Sequence, residues 1–225
     1  MNSREPQRDD DRGDADDAFI STGPPDEVFR NAIAFEMGLG FLAIFLGWLS
    51  GVDVRKWLPE LHELDLRSLA TILGWGIVTA LPMIAVVEVI QRIDWEPFRE
   101  LSELEQSPLV AALLSLRPSE LIALSIAAGV GEELLVRGWL MAWLIGPEEL
   151  ATPAKLVMGV VTSAVAFGLM HPVTPAYAIL ATLMGIYLGA VVLGSQSLLI
   201  AIVAHAFYDA IQLLMSRRKK LAEGM

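Results

Sequence analysis

The sequence predicts an all-α protein, a polytopic membrane bundle of about six transmembrane helices. Three observations lead there. The chain of 225 residues is 54% hydrophobic, and its mean hydropathy is +0.53, too apolar for an ordinary soluble domain of this length. Its apolar residues gather into runs long enough to span a bilayer. Those runs are continuous, whereas a transmembrane barrel would show short alternating segments.

The composition excludes several chemistries. With no cysteine there is no disulfide, iron–sulfur site, thiolate zinc site or cysteine nucleophile. Much of the net charge of −11 lies in residues 1–30, which carry Glu5, Asp9, Asp10, Asp11, Asp14, Asp16, Asp17, Asp26 and Glu27. That stretch is expected to be a solvated, disordered cytoplasmic tail. It has no basic start running into an apolar core, so it does not read as a signal peptide. No basic stripe with interleaved aromatics appears, so no nucleic-acid partner is expected.

The first span is expected at 31–50. Glu36 lies near its start, where it should reach interfacial water, and it is assigned no chemistry. Trp48 fits an interfacial anchor. Residues 51–68 mix Val54, Trp57 and Leu58 with Arg55, Lys56 and Glu60, a pattern for a short amphipathic interfacial helix. His62 there reads as surface decoration. The second span, 69–91, carries Pro82 at its middle, a kink site, and Glu88 at its interfacial end. In 92–118 the apolar residues Phe98, Leu101 and Leu104, then Leu109, Ala112, Leu113 and Leu116, fall at helical spacing and predict one or two interfacial helices.

The third span, 119–145, opens with Pro118, Ser119 and Glu120, a helix start. It carries two adjacent carboxylates, Glu132 and Glu133. Arg137 follows Glu133 at i+4 and can pair with it. An ionisable group at membrane depth costs about 2.5–3.5 kcal/mol and by default marks function; the bland alternative is an inter-helix salt bridge. Gly129, Gly131 and Gly138 would let neighbouring helices approach closely. The fourth span, 154–171, ends in Phe167 and His171, i and i+4 on one face, with Pro172 stopping the helix. The fifth, 175–193, is uncharged, and Gly185 and Gly189 form a packing pair. The sixth, 197–215, places His205 and Asp209 on one face of an otherwise apolar helix.

Six spans put both termini on one side. That side would hold Arg4, Arg8, Arg12, Arg30, Arg92, Arg99, Arg117 and Arg217, Arg218, Lys219 and Lys220; the other would hold only Arg55, Lys56, Arg67 and Lys155. The positive-inside rule then places both termini in the cytoplasm.

Three separate helices thus contribute ionisable groups where apolar residues would be the default. Carboxylate with imidazole is equipment for activating water, and a second imidazole can donate to a developing oxyanion. Ser125, Ser163 and Ser195 lack a nucleophile motif, and no His-Glu-x-x-His helix for zinc is present.

These motifs carry a resemblance. Glu-Glu-x-x-x-Arg at 132–137, Phe-x-x-x-His at 167–171 and His-x-x-x-Asp at 205–209 resemble the three motifs of the CPBP family, the CAAX prenyl endopeptidases and bacteriocin-processing (Abi) proteins. Each motif alone is weak; all three in order on separate helices are specific. The resemblance covers 119–215. It implies an intramembrane endopeptidase of glutamate type, integral to a bacterial or archaeal inner membrane. It implies Glu132 as general base, His171 holding and polarising the water, His205 stabilising the oxyanion, and Glu133 with Arg137 as an orienting pair beside Phe167. The family's last motif ends in Asn or Asp. Asp209, when ionised, only accepts hydrogen bonds, so it would orient His205 and keep it cationic, or stay protonated in its apolar site, or, if a metal is present, join Glu132, His171 and His205 as a ligand. No cofactor is favoured; zinc is the alternative.

The expected organisation is an acidic tail at 1–30, two N-terminal transmembrane helices with interfacial segments at 31–118, a catalytic core at 119–215 and a basic tail at 216–225. Expected partners are the bilayer and a membrane-associated protein or peptide: prenylated CaaX-like C-termini, leader peptides or C-terminal sorting anchors. A catalytically silent scaffold or immunity protein of the same fold is a competing reading, and a small transporter is another, weakened by the absence of an evident inverted repeat.

Overall fold

The computed structural model describes residues 24–60, 62, 64–93 and 108–222. Most of the acidic tail, and Phe98, Leu101 and Leu104 of the expected interfacial helix, lie outside the described residues.

Helices stand at all six expected places, and among the described residues there is no strand. Helix α1 is Pro25–Ser50. It starts with Pro at its first position and Asp26 and Glu27 in its first turn, where acidic groups complement the helix dipole. It stops at Gly51, whose φ of 69° puts it in the left-handed region that favours glycine, with its N–H on the Gly47 carbonyl. Helix α2 is Leu66–Ile90. Its N-cap is Asp65, whose side chain accepts from Ser68 N at 2.7 Å; that bond holds the Asp65 carboxyl below the ordinary aspartate range. The helix continues through Pro82. Helix α3, Pro108–Leu113, is a short turn-and-a-half. Helix α4 is Pro118–Glu133, and it runs on through a π-helical segment, Leu134–Met141, into a last α-turn, Ala142–Ile145. Helices α5 (Pro153–Leu169), α6 (Pro175–Ser195) and α7 (Leu198–Ala222) complete the order. Both α5 and α6 begin with a Thr cap, Thr152 and Thr174, followed by Pro.

Four helices, α1, α2, α6 and α7, are long and apolar enough to cross a membrane; α5 is apolar but has 17 residues. The α-helical part of α4 has 16 residues before the π segment takes over. The outer surface is apolar: Phe41, Trp48, Leu73, Leu169 and Ile179 are exposed. The centre instead holds buried Glu132, Glu133, Arg137 and His205. Apolar outside and polar inside is the arrangement lipid demands. The protein is an integral membrane helical bundle.

Close approach is built from glycine. A Cβ on Gly131 would collide with the Glu36 carbonyl of α1, and one on Gly129 would come within 2.9 Å of the Ile202 carbonyl of α7. Helix α4 is therefore clamped between α1 and α7, with α2 lying against α7 and α5 against α6. The main apolar core joins Met83 of α2, Met141 of the π segment, Met184 and Leu188 of α6, and Leu198 and Ile202 of α7.

The expected amphipathic helix over 51–68 is corrected. Residues 51–60 make turns, with Val54 and Trp57 buried. Trp57 packs in the main core, and its carbonyl accepts from Leu198 N at 2.7 Å, giving the first turn of α7 a partner for one of its free N–H groups. The sequence shows amphipathic composition, but the segment folds inward because Gly47 and Gly138 leave room for Val54.

Candidate active site

The site grows from one helical turn. Glu132 and Glu133 end the α-helical part of α4, about 100° apart around its axis. Glu133 is fully buried. Its Oε1 accepts from Arg137 Nη1 at 2.6 Å and from His205 Nδ1 at 2.9 Å. Arg137, also fully buried, donates through Nη2 to the Gly185 carbonyl at 3.0 Å, and its guanidinium lies 4.8 Å from the centre of the Phe167 ring. The expected i,i+4 pair is present, and it also reaches α6 and α7.

Glu132 turns the other way, into a cavity that is also lined by Phe167, His171, Tyr177, His205, Tyr208 and Asp209. Its Oε2 is buried without a hydrogen-bond partner, 3.9 Å from His171 Nε2 and 3.7 Å from His205 Nε2. Both distances are too long for direct hydrogen bonds. All three atoms border one space.

The two imidazoles are held differently. His171 follows the end of α5, and its Nδ1 donates to the Phe167 carbonyl at 2.9 Å. A carbonyl only accepts, so Nδ1 carries the hydrogen and a neutral His171 presents Nε2 as a lone pair. His205 has carboxylates at both ends, Glu133 at Nδ1 and Asp209 Oδ2 3.4 Å from Nε2. The Phe167 ring sits between them, 4.7 Å from His171 and 5.8 Å edge-on from His205. The structure therefore brings together Glu132, Glu133, Arg137, Phe167, His171, His205 and Asp209. Ser125 and Ser163, buried, bond to the carbonyls of Leu121 and Val160 on their own helices. Exposed His62 faces Glu60 at 3.2 Å.

Sequence reasoning missed several groups. Glu36, assigned no chemistry, has a buried Oε2 without a hydrogen-bond partner and interacts electrostatically with Glu132, Asp209 and His205. The signal was available: it is the one acidic residue inside the first apolar run. Tyr177 and Tyr208 line the cavity and passed as ordinary apolar-helix residues. Gly185, expected only to pack, also holds Arg137.

A metal needs at least three donors converging on one point. Among the described residues, no group of three or more His, Cys, Asp or Glu is so arranged.

Neither a curated protein nor a solved structure matches the chain. The sequence model of a family described as type II CAAX prenyl endopeptidase Rce1-like matches residues 112–211, the stretch that holds all three motifs.

Proposed function

We propose that the protein hydrolyses a peptide bond within the membrane, with Glu132 as general base, without a metal. The observation that carries this is the buried, unpartnered Oε2 of Glu132, facing a cavity beside two imidazole nitrogens. Glu132 Oε2 and the neutral His171 Nε2 are both acceptors. Their 3.9 Å separation is close to the ~4.4 Å spanned by two acceptors that each take one hydrogen of the same water at ~2.8 Å. A water so held aims its lone pair at a substrate carbonyl. Glu132 takes its proton as the oxygen attacks, and returns the proton to the leaving amine. His205, anchored at Nδ1 by Glu133, donates from Nε2 to the oxyanion. Asp209 keeps that ring in place, and Arg137 holds Glu133. Phe167 fixes both imidazoles.

On this reading 119–215 is the catalytic core. Residues 31–118 complete it, because α1 docks on Gly131 and α2 supplies Met83 to the cavity wall. The substrate is a membrane-associated protein or peptide, a prenylated CaaX-like C-terminus, a leader peptide or a C-terminal sorting anchor. Both termini face the cytoplasm of a bacterial or archaeal cell.

The test uses purified protein in detergent with quenched membrane peptides of these three classes. Cleavage that survives a strong chelator and is lost in Glu132→Gln is the expected result. Cleavage that disappears on chelation and returns with zinc would overturn the metal-free mechanism. A folded wild type inert toward every peptide would favour the scaffold reading.

A further inference from the structure

We propose that the Tyr177 hydroxyl is a catalytic donor that completes the oxyanion hole with His205; this rests on the protease reading above. The argument is an inventory of the polar side chains around the cavity. A carbonyl attacked by water becomes a tetrahedral centre as its π electrons move onto oxygen. That oxygen needs donors at about 2.7–3.1 Å, in place before the charge forms. Ionised Glu132 and Asp209 only accept. His171 commits its one hydrogen to the Phe167 carbonyl. His205 can offer only Nε2, and shares it with Asp209. The hydroxyls of Tyr177 and Tyr208 are the remaining donors among the side chains that line the cavity.

Position favours Tyr177. Its ring meets His171 edge-on at 5.8 Å, beside the imidazole that borders the cavity with Glu132. It is also rigidly mounted. Tyr177 lies in the first turn of α6, its N–H donating to the Thr174 cap at 3.1 Å. A donor on a capped helix is held close to its working geometry without reorganisation. A neutral phenol also suits a site already crowded with carboxylates, because it adds a hydrogen without adding charge.

The experiment compares wild type, Tyr177→Phe, Tyr208→Phe and Glu132→Gln as full-length protein on a quenched peptide with a prenylated CaaX-like end. Phe keeps the ring against His171 and removes only the hydroxyl. The expected result is a kcat about 10²–10³-fold lower in Tyr177→Phe, with KM within about twofold. Affinity for the matching phosphinate peptide, whose tetrahedral centre is anionic, should fall by a similar factor. A merely structural tyrosine would leave both readouts unchanged. Wild-type kcat and phosphinate affinity in Tyr177→Phe, or a larger loss in Tyr208→Phe, would overturn the assignment and leave the protease reading standing. A wild type inert toward this peptide and also toward the leader and sorting-anchor peptides, or an active Glu132→Gln, would overturn the protease reading and the tyrosine's role together.

Discussion

Glu132 and Glu133 are neighbours on one helix, and they live in opposite surroundings. Glu133 is sealed between Arg137 and His205. Each glutamate keeps an Oε2 without a hydrogen-bond partner, but Glu133 holds both cations through Oε1, whereas Glu132 opens on the cavity. On the proposed mechanism the same kind of carboxylate serves as a structural clasp on one side of the helix and as the general base on the other. What separates them is where the cations are. Arg137 lies at i+4 from Glu133 and so falls on its face, leaving Glu132 for the imidazoles of other helices. A buried charge is tolerable when paired; left unpaired in a protein that keeps it, it points to chemistry.

Substitutions can break that comparison from either side. The largest expected effect is on activity: Glu132→Gln should lower kcat about 10²–10⁴-fold while the melting temperature holds, measured by peptide cleavage beside thermal unfolding in detergent. Breaking the clasp should reverse the pattern. Arg137→Met strands the buried Glu133 carboxylate and should cost about 3–5 kcal/mol of stability. Removing both charges, Glu133→Gln with Arg137→Met, should recover a good part of that loss, and a double variant no more stable than the single would refute the clasp. The helix seat comes next. Gly131→Ala, which drives a Cβ into the Glu36 carbonyl, should cost about 1–3 kcal/mol by overpacking. Gly38→Ala, which meets nothing within 4 Å, should be neutral or stabilising by up to about 1 kcal/mol. The smallest effect is expected at Glu36. Glu36→Gln removes a carboxylate with an unpartnered buried oxygen and should change stability by about 1 kcal/mol or less, toward greater stability; a large loss would reveal a partner for that carboxylate.

Much of this architecture was legible in the residues. Continuous apolar runs placed all six long helices, because a helix that crosses lipid needs length and apolarity and little else, although α1 begins six residues before and α7 ends seven residues after its apolar run. Pro25, Pro118, Pro153 and Pro175 mark the starts of α1, α4, α5 and α6. The paired residues Glu133 with Arg137, Phe167 with His171 and His205 with Asp209 stood out because a polar group is conspicuous in an apolar run. Other features depend on tertiary contacts. Glu36 sits near the start of its run, and only the docking of α1 on Gly131 brings it to the centre. Tyr177 has an apolar body, and its hydroxyl acquires meaning from the cavity it faces. The inward fold of Val54 and Trp57 depends on Gly47 and Gly138, far from each other in sequence.

The π-helical segment at Leu134–Met141 also has a consequence for how such a chain tolerates insertion and deletion. A π turn holds one more residue than an α turn, so it takes up one residue without turning the helix that flanks it. Deleting a single residue there would let the backbone relax into continuous α-helix and leave the carboxylate pair in phase with the half fixed by Val54 and the apolar core. The same deletion in the α-helical part, Pro118–Glu133, has no such slack and would turn the carboxylate pair by about 100° relative to the start of the helix. The wider turn is therefore the place in this helix where a one-residue change in length should be best tolerated.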